Sequence, residues 1–226
     1  MTTQDTPQGH AVFADRLVGE LAMSIPGATR VLRKYRVNFC CNGNTPLAEA
    51  AAKRGADIDA ITRDLAELEL DSVALPAADD VNGLISFILS RYHETHRHEL
   101  PELILLARKV EAVHGDHPDA PHGLADILYE MAQDLDAHMC KEEMILFPAM
   151  QEKVMTLEGP IAQMRHEHSD HGEHLHRIEA ATHNFALPDG ACGSWRALYL
   201  GTSKLVEDLV AHIHLENNVL FPRFEA

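Results

Sequence analysis

Apolar residues recur every three or four positions through most of the chain, the period of an amphipathic helix. Four long stretches carry this rhythm. The first runs from about Val81 to Val113, where Pro101 is expected to kink or break it. In the second, Leu124, Leu128, Met131, Leu135, His138, Glu142 and Ile145 form one stripe. The third runs from about Pro160 to Phe185 and places Ile161, Met164, His168, His171, Leu175 and Ile178 on a common face. The fourth does so with Leu205, Leu209, His212, Glu216 and Val219. The Gly- and Pro-bearing segments HGDHPDAPHG and LPDGACG separate the first stretch from the second and the third from the fourth. This pattern predicts an all-α protein with an antiparallel four-helix bundle over residues 79–226.

Residues 1–78 read differently, as a small helical N-terminal domain of shorter segments. Pro26 is expected to begin one helix, and Thr45 to cap another with Pro46 in its first position. Gly55 is placed to end that helix and Asp57 to cap the next. The stretch DSVALPAADD then marks the boundary. Between the helices lie the adjacent Cys40 and Cys41, followed by Asn42, Gly43 and Asn44. Paired thiols beside turn-forming residues suit metal transfer or redox cycling.

Composition narrows the function. A hydrophobic share of 46% supports a buried core. A formal net charge of -16 repels phosphate backbones and anionic headgroups, which disfavours nucleic acid and membrane partners. No stretch is apolar for long enough to span a bilayer, the N-terminus has no signal-peptide pattern, and the cysteines read as free thiols, so a cytoplasmic location is expected. The chain also carries 16 histidines, many for its length.

An internal repeat sorts those histidines. HMCKEEMILFP, from His138, and HIHLENNVLFP, from His212, share a histidine, a glutamate four residues later, and Leu-Phe-Pro at the same offsets. Upstream, HETHRHEL from His93 matches HSDHGEHL from His168, at 45 and 44 residues before the corresponding H-x-x-x-E. On a helix, residues four apart project to one side. Two hairpins, each contributing one histidine and then an H-x-x-x-E pair, would gather four imidazoles and two carboxylates in one core. His96 and His171 obey the same repeat as His93 and His168, so spacing alone leaves either pair free to face inward.

Carboxylates buried among Leu and Ile require a counter-charge, and no Lys or Arg shares these faces. Four imidazoles and two carboxylates exceed one tetrahedral zinc site. They suit two metal ions, each with two histidines, bridged by both glutamates and an oxo or hydroxo group. A labile position on each ion would then accept dioxygen or nitric oxide. Mixed nitrogen and oxygen ligation fits iron, with manganese and zinc as other occupants of the same ligand type. Asp134, Glu167 and Asp208 are placed to accept hydrogen bonds from the ligands or to line an access path. Cys140 is expected to point away. His10, His114, His117, His122, His166, His174, His176, His183 and His214 are expected to be solvated.

The segments SIPGATRVLRKYRVNFCCNG, RYHETHRHELPEL, HMCKEEMILFP and HIHLENNVLFP closely resemble the RIC family of di-iron iron–sulfur cluster repair proteins, the YtfE/ScdA type. The likeness extends from about Leu17 to Phe224, with a hemerythrin-like domain after a cysteine-bearing N-terminal domain. It implies a di-iron site held by His93, His138, Glu142, His168, His212 and Glu216, preferring His93 over His96 and His168 over His171. It further implies repair of iron–sulfur clusters damaged by oxidative or nitrosative stress, with damaged iron–sulfur proteins as partners and a homodimeric assembly. The alternatives are reduction of nitric oxide at the di-iron site and reversible dioxygen binding or sensing. The family's Cys-Cys-Gly-Gly is here Cys40-Cys41-Asn42-Gly43-Asn44, a departure that bears on the cysteine site.

Overall fold

A computed structural model describes residues 13–25, 28–37, 45–69, 76–77, 79–152 and 156–225. Cys40, Cys41, Pro26 and His10 lie outside the described residues. The chain divides into two compact units, Met1–Leu75 and Pro76–Ala226.

The first unit contains α1 (Val18–Ser24), α2 (Ala28–Lys34), α3 (Leu47–Arg54) and α4 (Ile58–Glu69). Gly55 terminates α3 with φ 64°, and the Asp57 carboxylate accepts the Asp59 and Ala60 amides at the start of α4. Thr45 does not cap α3. Its carbonyl accepts the Val18 amide, Leu47 N–H donates to Arg16, and Pro46 forms an isolated antiparallel bridge with Leu17. The backbone there is committed to a pairing across the unit, so the helix begins one residue later than the proline rule suggests. Val18, Leu21, Leu32, Leu47, Ile61 and Leu65 are fully buried and form its core.

The second unit is the bundle. Helix α5 comprises Val81–Ile88, a π-helical turn Leu89–His93 and Glu94–His114. Helix α6 comprises Leu124–Lys141, a π turn Glu142–Leu146 and Phe147–Gln151. Helix α7 is Glu158–Ala181, ending before the expected Phe185 because His183, Asn184 and Phe185 all take positive φ. Helix α8 comprises Gly193–Leu215, a π turn Glu216–Leu220 and a 3-10 turn Phe221–Arg223. Asp80 caps α5 through the Gly83 amide at 2.8 Å. α5 packs on α6 and α8, and α6 on α7. Pro101 sits inside Glu94–His114 without breaking it.

The two later π turns occupy the same place in the sequence repeat, from the glutamate to the leucine before Phe-Pro. A proline has no N–H to donate, and its ring opposes the carbonyl four residues back; a widened turn relieves both constraints. Leu146 and Phe147, and likewise Leu220 and Phe221, are buried in the core one turn after each glutamate.

Two apolar clusters fill the bundle. One gathers Leu100, Ala107, Leu128, Leu135, Trp195, Leu205 and Leu209, and the other Leu84, Ile88, Leu146, Phe147, Ile161, Leu220 and Phe221. On every helix two buried polar residues fall between them: His93 and His96, His138 and Glu142, His168 and His171, His212 and Glu216. Among the described residues, no helix is long and apolar enough to cross a membrane.

Candidate metal centre

Glu142 and Glu216 have no exposed surface, and the ion-pair partners the structure gives them are all histidines. Each carboxylate divides its oxygens between two sides. Glu142 directs Oε2 to His93 Nε2 and Oε1 to His138 Nε2, both at 3.4 Å. Glu216 directs Oε1 to His212 Nε2 at 3.0 Å and Oε2 to His168 Nε2 at 3.1 Å. The outcome is two four-residue groups, His93–Glu142–His212–Glu216 and His138–Glu142–His168–Glu216, whose donor atoms lie within 4.8 Å of one another.

Within each group the imidazoles confront each other nitrogen to nitrogen. His93 Nε2 lies 3.2 Å from His212 Nε2, and His138 Nε2 lies 3.1 Å from His168 Nε2. Three of these rings are anchored from behind. His93 Nδ1 donates to Glu143 at 2.7 Å, His138 Nδ1 to Glu167 at 2.9 Å, and His168 Nδ1 to the Asn217 side-chain oxygen at 2.9 Å. A carboxylate or amide oxygen only accepts, so Nδ1 carries a proton, and whenever the ring is neutral its Nε2 turns a bare lone pair inward. Facing lone pairs repel unless a cation separates them. Two donors at about 2.1 Å from one ion and at right angles to each other lie about 3 Å apart, the spacing found here.

The remaining polar accounting points the same way. Neither Glu142 oxygen, nor Glu216 Oε2, nor His212 Nδ1 has a hydrogen-bond partner. Unmatched anionic oxygens inside an apolar bundle are costly, and a cation or a proton must compensate them. In the metal-free protein protons take that role. Burial pulls the His138 imidazolium down, but the Glu142, Glu216 and Glu167 carboxylates outweigh it and push its pKa up to about 9. His93 is raised by Glu142, Glu216 and Glu143, burial again opposing. Burial raises the Glu216 carboxyl, yet His212 and His168 hold it well below the usual range.

Around the centre the acids are themselves paired. Glu143 accepts from Arg97, which also holds Asp136; Glu167 accepts from Lys141 and Gln163. Glu167 therefore contacts a candidate ligand as its position in the sequence suggests. Asp134 and Asp208 do not: Asp134 bonds His174, and Asp208 binds Arg91 and Lys204. Glu143 and Asn217 were not singled out in the sequence. The repeat held the clue, because each directly follows a candidate glutamate and each orients the first histidine of its own hairpin.

Not all of the histidines expected in solvent are there. His174 is buried against Asp134, and burial lowers the half-buried His214 to about 4. His114 and His117 pack on Trp195, whereas His122, His166, His176 and His183 are exposed. Cys140 faces Arg97, outside the ligand groups.

Comparison with known proteins agrees with this geometry. Residues 84–224 match the hemerythrin HHE cation binding domain, and residues 14–69 match the ScdA_N domain of unknown function. Over 216 residues the chain is 48% identical to the iron-sulfur cluster repair protein YtfE of Edwardsiella ictaluri, covering 93% of this chain and 97% of that one. The YtfE proteins of Citrobacter koseri and Yersinia pseudotuberculosis are 46% and 45% identical over the same shares. A hemerythrin-type cation-binding bundle behind an ScdA_N segment, with identity sustained across almost the full length, shows that the chain belongs to the YtfE family of iron–sulfur cluster repair proteins.

Proposed function

We propose that this protein holds two iron ions bridged by Glu142, Glu216 and an oxo or hydroxo group, and that it donates or mobilises iron in the repair of clusters damaged by oxidative and nitrosative stress. His93 and His212 would serve one ion, and His138 and His168 the other. The observation that carries this reading is the split of both carboxylates between two facing imidazole pairs. Such a donor set fits two six-coordinate ions of mixed nitrogen and oxygen preference and leaves each with positions for exchange. When bound, the ions supply redox chemistry and Lewis acidity. The chain's own residues set the conditions. Glu143, Glu167 and Asn217 keep Nδ1–H outward and leave Nε2 for the ion, and loading the site releases the proton that His138 holds in its absence. The apolar clusters on both sides keep bulk water out. The N-terminal domain, residues 1–78, is read as the part that meets the recipient protein, with Cys40 and Cys41 as transient thiolate acceptors.

The test uses iron-loaded full-length protein mixed with an iron–sulfur enzyme whose cluster has been damaged by nitric oxide. Recovery of that enzyme's activity should accompany loss of iron from the donor. Replacing both Cys40 and Cys41 with serine should slow it, and Glu142→Ala should abolish it. Equal recovery with metal-free protein would overturn the reading.

A further inference from the structure

His96 and His171 take no part in either candidate ligand group, yet they are as deeply buried as the ligands, at 0% and 2% exposure. Both ring nitrogens of both residues are without a hydrogen-bond partner. A leucine in either place would fill the same space without an unmatched N–H, so core filling alone does not account for two imidazoles. They are also repeat equivalents, three residues after His93 and His168 respectively.

Their placement is specific. The His96 ring lies 5.5 Å from that of His212, and the His171 ring 5.0 Å from that of His138. Each candidate ion position therefore has one such imidazole beside it. Both lie one helical turn from the ligands towards the same end of the bundle, where the neighbouring residues of α6 and α8 are the fully buried Leu135 and Leu209. The opposite end is apolar: Phe147 stacks on His93 and Phe221 on His168, each at 5.9 Å, beside Leu146 and Leu220.

We infer that His96 and His171 are the hydrogen-bonding lining of the face on which a small exogenous ligand meets the dimetal centre, one imidazole serving each ion position. The ligand class is a small species with lone pairs on oxygen or nitrogen, such as hydroxide, azide or a diatomic gas. A neutral imidazole offers it one N–H and one lone pair. The two residues are positioning groups that act on the bound ligand and not on the ions.

The inference rests on the dinuclear reading above, so the experiment measures both. His96→Leu, His171→Leu and the corresponding glutamine variants are prepared as iron-loaded full-length protein, and iron content is measured alongside azide binding to the diferric form. About two irons per chain should remain in all four. The leucine variants should bind azide about tenfold or more weakly, and glutamine, which keeps an N–H, should restore much of that loss. In the wild-type protein the azide or bridge vibration should shift on exchange into D2O, a measurement that needs no variant to fold. Unchanged azide affinity with two irons retained, or no vibrational shift, would overturn this inference alone. Iron falling in the leucine variants would make these residues ligands and also overturn it. Wild-type protein without a dinuclear centre would overturn the reading beneath it.

Discussion

The two hairpins of the bundle, α5–α6 and α7–α8, were built on one pattern and now differ in an ordered way. Every atom directed at the candidate ions is repeated: His93 with His168, His138 with His212, Glu142 with Glu216. The groups behind them are not. Glu143 in the first hairpin becomes Asn217 in the second, so one histidine leans on a charged acceptor and its equivalent on a neutral one. Glu167, which anchors His138, corresponds to Tyr92, which lies flat against His212 at 5.2 Å and accepts nothing from it. A third asymmetry is the π turn Leu89–His93, which α7 lacks. Coordination chemistry fixes the donors on both sides, whereas their supporting partners were free to diverge and set the two ion positions apart.

The largest expected effect comes from breaking what the hairpins share. Glu142→Ala or Glu216→Ala removes a carboxylate from both positions at once, so either change should bring metal content from about two ions per chain to well below one. If one ion persisted at full occupancy, the carboxylates would not be shared.

The next concerns protons. His138 and His93 have raised pKa values in the metal-free fold, so the stability they contribute is present below the unfolded value of 6.5 and lost as pH rises through the folded values, about 9 for His138. His171 and His214 shift the opposite way, and their contribution is lost as pH falls below 6.5. The metal-free protein should therefore melt highest near pH 6.5 and about 5 °C or more lower at pH 9. Iron-loaded protein, whose ligand histidines hold no proton to lose, should lack the alkaline fall; thermal melts of both forms across that range decide it.

Supporting partners come third. Glu167→Ala should weaken the His138–His168 position about 10–100-fold in competition with a chelator, and Asn217→Ala less, with the His93–His212 position affected less in both cases. At the small end, Asp80→Ala removes a helix cap far from the ions. It should cost about 1 kcal/mol in a denaturant melt with metal content unchanged.

Much of this was legible in the sequence because helical periodicity and metal ligation use the same offsets. A residue pair four apart on an apolar stripe is at once a helix face and half a binding site, and its duplication doubled the signal at His138–Glu142 and His212–Glu216. What escaped depended on contacts across helices. Asp134 and Asp208 sit at helical spacing from the ligands but bond His174, and Arg91 with Lys204, instead. Glu143 and Asn217 gain their role only when α5 meets α6 and α7 meets α8. The two later π turns were hidden as well, since the widening accompanies Pro148 within α6 and Pro222 in the closing turn of α8, where a proline by itself signals only a helix start or end. Pro101, in contrast, is absorbed with no break in the helix.

The shared-carboxylate centre is tested most directly by diffraction from crystals of iron-loaded protein at the iron absorption edge. Two anomalous peaks are predicted, one about 2.1 Å from His93 and His212 Nε2 and one equally near His138 and His168 Nε2, with Glu142 and Glu216 reaching both. A single peak, or two peaks that the carboxylates do not join, would contradict it.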